Sequence, residues 1–320
     1  MGGANEINKA NLQVGDMLAF MQYGMLIIFS FLMIAMMFIM VPRASVSAAR
    51  ISEVLETEPE ILEPKNPLAL GENPKGLIEF NDVSFRYHNA ESDVLENISF
   101  TARPGETTAF IGSTGAGKST LINLIPRFYD VSKGKVTIDG IDVRDLSLKD
   151  LRDNIGYIPQ KGILFSGDIA SNIGYGKEDA SPQELALAAE IAQATEFIES
   201  NEQGYNTSIS QGGGNVSGGQ KQRLAIARAL VKKPPIYIFD DSFSALDFKT
   251  DATLRRALKK HTGDSTVLIV AQRISTIMTA EQIIVLDEGR VVGKGTHQEL
   301  LKSCTTYREI AESQLSEEEL

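Results

Sequence analysis

Thr107-Thr108-Ala109-Phe110-Ile111 runs directly into Gly112-Ser113-Thr114-Gly115-Ala116-Gly117-Lys118-Ser119-Thr120, and apolar residues follow at Leu121, Ile122, Leu124 and Ile125. The first five residues read as a short buried strand and the last four as one face of a helix. A glycine-rich loop between a strand and a helix is the P-loop pattern in its proper setting. Such a loop turns backbone N–H groups inward, where they cradle phosphates at the start of the helix. Lys118 is placed to neutralise the β- and γ-phosphates of a nucleoside triphosphate, and the Ser119 hydroxyl to reach Mg2+. The competing reading is a glycine-rich turn that matches by chance, and the flanking elements weigh against it.

A second stretch agrees with the first. Ile236-Tyr237-Ile238-Phe239 is an apolar strand that ends in Asp240-Asp241. Carboxylates at the C-terminal end of a buried parallel strand lie where doubly wound sheets place ligand groups. Asp240 is the natural partner of Mg2+, directly or through water. Alone the pattern is weak; beside a P-loop it becomes specific.

Val216-Ser217-Gly218-Gly219-Gln220 follows the glycine run Gly212 to Gly214 and opens a helix carrying Leu224, Ala227 and Leu230. Here the sequence resembles the ATP-binding cassette (ABC) family, matching its Leu-Ser-Gly-Gly-Gln signature except for Val216 in first place. The resemblance covers nearly the whole chain and is strongest to exporter-type half-transporters, which join six membrane helices to one cassette. It implies ATP and Mg2+ as cofactors. It also implies that Tyr87 stacks on adenine and that Gln160, in Tyr157-Ile158-Pro159-Gln160, senses the γ-phosphate and Mg2+. Ser244-Ala245-Leu246-Asp247 matches the loop that crosses the dimer interface. In the family two cassettes meet head to tail, so Ser217 and Gly219, with Gly218 and Gln220, would cover the ATP held by a partner's P-loop.

Two positions depart from the family pattern. Where the family has a Glu after the Mg2+ aspartate, this chain has Asp241; where it has a His after the next strand, Val270-Ala271-Gln272-Arg273 places Gln272. Asp241 keeps the charge but is one methylene short, and a displacement of about an ångström can slow a reaction about a hundredfold. Glutamine can hydrogen-bond a phosphate but carries no proton or positive charge. With Gln160, these are the residues nearest the chemistry. The expectation is tight ATP binding with slow hydrolysis at this chain's own loop, as in the degenerate half of a heterodimeric multidrug exporter. The alternative is a working homodimer that tolerates both variants.

Outward from the site, short apolar strands at Leu77–Phe80, Val267–Val270 and Ile283–Leu286 alternate with helical patterns, which makes the fold class α/β with a mostly parallel sheet. Between Ser166 and Lys233 no strand is expected. There Ser181-Pro182-Gln183-Glu184 is a capping box opening a helix through about Glu199, within a helical subdomain over about 166–233. The cassette is expected over 77–315. A Glu- and Pro-rich connector precedes it over 56–76.

Met17 to Val41 contains no charged residue, about 37 Å as a helix, enough to cross a hydrocarbon core of about 30 Å. The run is too long and its leading residues too acidic for a signal peptide. Arg43 and Arg50 follow it and Asp16 precedes it, which puts the C-terminal side in the cytoplasm. The family resemblance implies that Met1 to Val41 is the end of an outer loop plus the last of six membrane helices, in a membrane domain reaching residue 55, with membrane lipid as its surroundings and the five preceding helices absent. The intact protein is expected in the cell membrane, multi-pass. Most of the nine methionines lie in this run, an adaptable apolar surface compatible with hydrophobic cargo, though plain lipid exposure explains them as well.

The chain has 320 residues and a formal net charge of -11, a balance that argues against nucleic acid as a partner. One cysteine excludes a disulfide within the chain. Two other functions stay open: a soluble, non-transport ABC ATPase, against which the span speaks, and an ATP-gated regulatory module, which Asp241 and Gln272 keep alive.

Overall fold

A computed structural model of the chain describes residues 13–88 and 90–316. It divides into two compact units, the first ending at Glu60 and the second beginning at Ile61. The first is built on one helix, Val14–Leu55, of 42 residues, about 63 Å long at 1.5 Å per residue. None of it is buried by protein, and it is long and apolar enough to cross a membrane. The helix therefore continues to Leu55, past the charge-free run that ends at Val41. Within that run Ser30 Oγ donates to Leu26 O at 2.8 Å, so this hydroxyl needs no partner from lipid. The end of an outer loop expected at residues 1–12 lies outside the described residues.

The second unit is organised by a six-stranded sheet in the order Arg290–Gly295, Gln282–Asp287, Thr107–Gly112, Thr266–Val270, Ile236–Asp240 and Ile155–Ile158. All neighbours are parallel except the first pair. Ile236–Asp240 and Thr266–Val270 are buried at every position, as strands covered on both faces must be. Side chains alternate between two cores. Ala109, Ile111, Tyr237 and Phe239 join the signature-helix side, while Phe110, Ile236 and Ile238 join Leu121, Ile122 and Ile125 on the other.

A separate antiparallel sheet orders Leu95–Ala102, Ile78–Phe85, Lys133–Ile138 and Ile141–Asp142. Phe80 faces Phe100 across it, rings stacked at 4.5 Å. The expected strand at Leu77–Phe80 is the start of the longer Ile78–Phe85.

Two further expectations are corrected. The segment 166–233 is not free of strands, because Gly167–Asp168 pairs antiparallel with Ser208–Ile209. The helix opened by Ser181 ends at Ile191 rather than near Glu199. Gln193 adopts φ +57, a left-handed conformation that breaks the helix, and Thr195–Glu199 forms a separate turn. The connector is held from Glu63 onward. Its carboxylate accepts from Leu148 N, Leu70 N donates to Asp150, and Asp139 accepts from the backbone N–H groups of Lys75, Gly76 and Leu77.

Candidate nucleotide-binding site

The glycine-rich loop leaves the end of the Thr107–Gly112 strand and enters the helix Lys118–Asn123. Two glycines are required there. Gly112, at φ +154, would place a Cβ 2.0 Å from Leu286 O, and Gly117, at φ +92, would place one 2.7 Å from Leu95 Cδ2. The loop can thus pack against the neighbouring strands Gln282–Asp287 and Leu95–Ala102 only without side chains at these positions. The first N–H groups of a helix lack intrahelical partners, so those of Lys118, Ser119 and Thr120 are available to phosphate oxygens. Lys118 Nζ donates to Gly112 O at 2.8 Å and Ser113 O at 2.7 Å, which holds the ammonium over the loop. Burial lowers the Lys118 pKa, and the carboxylates of Asp241 and Asp240 oppose that shift.

Ser119 Oγ donates to Asp240 Oδ1 at 2.9 Å. Tyr157 OH approaches the other oxygen, Oδ2, at 3.4 Å while bonding Asn123 Oδ1 at 2.9 Å. A hydroxyl and a carboxylate oxygen in contact, opening toward a triphosphate loop, form the hard-oxygen donor pair that Mg2+ accepts alongside phosphate and water. These residues fit the ion.

Beside it sits Asp241, whose backbone takes φ +46, a conformation rare outside glycine and found at strained functional positions. Its Oδ2 accepts from Gln160 Nε2 at 3.1 Å and from Gln272 Nε2 at 2.8 Å. Asp240 and Asp241 are each only 7% exposed, and burial raises both pKa values. The Asp240 charge adds to the rise at Asp241.

Thr114, Gly115, Gly117, Lys118, Ser119, Thr120, Gln160, Asp241 and Gln272 line one cleft. Asp240 stands behind Ser119, and Ala116 is buried under the loop. Tyr87 is half-buried at the side, with Phe85 and Tyr129 meeting its ring edge-on at 4.8 and 5.2 Å. Its hydroxyl shares a 2.9 Å hydrogen bond with Thr120 Oγ1, which ties this aromatic to the P-loop helix.

The residues Ser217, Gly218, Gly219 and Gln220 are not among those lining this cleft. They open the helix Gly218–Val231, where Ser217 Oγ accepts from Gln220 N and Gln220 Oε1 accepts from Ser217 N. Gly218 has open space around it, so a ligand could approach the backbone. One residue of this helix was not singled out from sequence. Gln222 is buried, donates to Pro159 O and accepts from Gly162 N, and so clamps the backbone on either side of Gln160. Only the fold brings these segments together; in sequence Gln222 is one more polar helix residue.

A P-loop, a hard-oxygen cation pair and a carboxylate at the C-terminal ends of interior strands define a nucleoside triphosphate-binding domain of the P-loop class. Comparisons with known proteins narrow the class. Residues 95–244 match the family model described as "ABC transporter". The chain is 46% identical over 315 residues to an uncharacterised ABC transporter ATP-binding protein of Mycobacterium tuberculosis, covering 98% of this chain and 54% of that one. It is 45% identical over 316 residues to a second such protein, YfiB of Bacillus subtilis, covering 99% and 54%. A solved bacterial Atm1-family ABC exporter with ATP bound superposes with a TM-score of 0.82 at 36% identity, covering 89% of this chain and 50% of that one. The chain carries the ATP-binding domain of the ABC transporter family. It spans about half the length of the curated relatives it matches.

Proposed function

We propose that this chain is the ATP-binding part of an exporter half, that its own ATP site hydrolyses slowly, and that its signature helix completes a competent site on a different half-transporter. The observation that carries this reading is the pairing of Asp241 with Gln272 where the family pattern has Glu and His. When bound, Mg·ATP supplies the phosphoryl group and the ion that offsets its charge. The chain's own residues do the rest. Loop amides and Lys118 hold the phosphates, Ser119 and Asp240 hold the cation, and Gln160 with Gln272 present amide donors toward the γ-phosphate end.

Asp241 is the group available to orient or deprotonate the attacking water. Burial makes its carboxylate more basic than an ordinary one, so basicity is not what it lacks. Reach is. The shorter side chain is also engaged by two glutamine amides on Oδ2, with the Ser244 hydroxyl close by. The ATP bound in the similar exporter structure supports ATP as the nucleotide. The apolar Val14–Leu55 helix supports a membrane setting with the cassette in the cytoplasm, and its methionines a hydrophobic cargo.

The test is steady-state ATPase of the chain co-purified with a candidate partner half-transporter. Removing the partner's catalytic glutamate should abolish turnover, whereas Asp241→Asn should slow it no more than about threefold. Equal collapse from Asp241→Asn would instead support the homodimer with a working Asp241.

A further inference from the structure

Gln314 lies two residues beyond the C-terminal helix Thr305–Glu312 and is solvent-exposed, yet both ends of its amide bond one distant segment. Nε2 donates to Gln272 O at 2.8 Å, and Oε1 accepts from Ile274 N at 2.9 Å. These two peptide groups lie just past the end of the Thr266–Val270 strand. Ala271 N is the last to reach a neighbouring strand, donating to Phe110 O at 3.1 Å. Beyond it Arg273 starts the four-residue helix Ile274–Ile277 without a side-chain cap. The Gln314 amide substitutes for the missing strand neighbour and, through Ile274 N, for the missing cap.

The strut is anchored at its other end. Gln314 N and Leu315 N both donate to Ala311 O; Ala311 and Tyr307 are fully buried, and Leu315 packs on the same core cluster. From Gln272 the connection continues to the site, because its Nε2 lies 2.8 Å from Asp241 Oδ2.

We infer that Gln314 is a positioning residue for Gln272, and that the C-terminal segment is thereby part of the ATP switch: displacing it frees the backbone that aims the Gln272 amide. This rests on the proposed role of Gln272 at the γ-phosphate.

Three variants of the full chain test it: Gln314→Leu, which removes both bonds, Gln314→Glu, which keeps only the acceptor, and Gln272→Ala. Each is measured for Mg·ATP affinity, for single-turnover hydrolysis of bound ATP and for thermal melting. Gln314→Leu should leave affinity within about twofold and lower the melt by only a few degrees while slowing hydrolysis about three- to tenfold, as the loss of one or two hydrogen bonds implies. Gln314→Glu should fall between it and the parent. In a Gln272→Ala background, Gln314→Leu should have no further effect. The inference is overturned if Gln314→Leu slows hydrolysis equally in that background, or if Gln272→Ala slows hydrolysis and Gln314→Leu does not. If Gln272→Ala itself changes nothing, the role given to Gln272 fails first, and this inference falls with it.

Discussion

Gln272 Nε2 donates to Asp241 Oδ2 across 2.8 Å, so the two departures from the family pattern are bonded to each other. A carboxylate facing a neutral amide is a stable polar pair, and Gln160 completes it from the other side. The same pair leaves the site without an imidazole at this position. The substitutions act as one unit, and their effects should not add.

On the proposed reading, placing Glu and His at these two positions should raise turnover. Asp241→Glu with Gln272→His should raise the ATPase rate of the purified chain by about ten- to a hundredfold, the scale set by an ångström of misplacement. Either change alone should recover much less. An ATPase assay of the four proteins, parent included, checks this; a double variant no faster than the parent would show that the site is limited elsewhere.

Asp241 should also make stability depend on pH. Burial holds its folded pKa above the usual carboxylate value. A carboxyl with a raised folded pKa favours the folded state while protonated, and that contribution disappears as pH rises through the folded value. Above that point the ionised group burdens the fold. Asp241→Asn, which can still accept from both glutamines, should raise the nucleotide-free melting temperature by about 2–4 °C near neutral pH, as about 1 kcal/mol does in a domain of this size. The difference should close as pH falls through the raised pKa. Melting curves across pH read it directly.

The amount legible in sequence followed the range of the interactions. The P-loop, the helix opened by Ser217 to Gln220, and the buried strands at Ile236 and Val267 are fixed by neighbours within a few residues, and they stand where the pattern put them. The antiparallel sheet was not seen, because Leu95–Ala102 and Lys133–Ile138 mix polar with apolar residues and gain their strand character from pairing with Ile78–Phe85. The break at Gln193 carries no glycine or proline to announce it. At the site, the identities of Gln160, Asp241 and Gln272 could be read, but not their convergence on one oxygen, since 81 and 31 residues separate the glutamines from the aspartate. Gln222 and Gln314 were invisible for the same reason.

Asp139 shows how the end of the connector is fixed. Its carboxylate accepts from three successive N–H groups, at 2.8 Å from Lys75, 3.1 Å from Gly76 and 2.8 Å from Leu77. Asp139→Ala leaves those donors without an acceptor and should cost about 2–4 kcal/mol, visible as a lower midpoint in urea unfolding. Asp139→Asn should cost less, since it keeps an acceptor oxygen.

We propose that the loop from Gly112 to Gly117, with Lys118 and Ser119, grips a magnesium-bound triphosphate. Equilibrium binding of ATP to the purified chain, with and without Mg2+ and in the parent and Lys118→Ala proteins, tests it most directly. Saturable binding that needs Mg2+ and weakens on the order of a hundredfold in Lys118→Ala is the predicted result. ATP affinity indifferent both to the metal and to the lysine would contradict it.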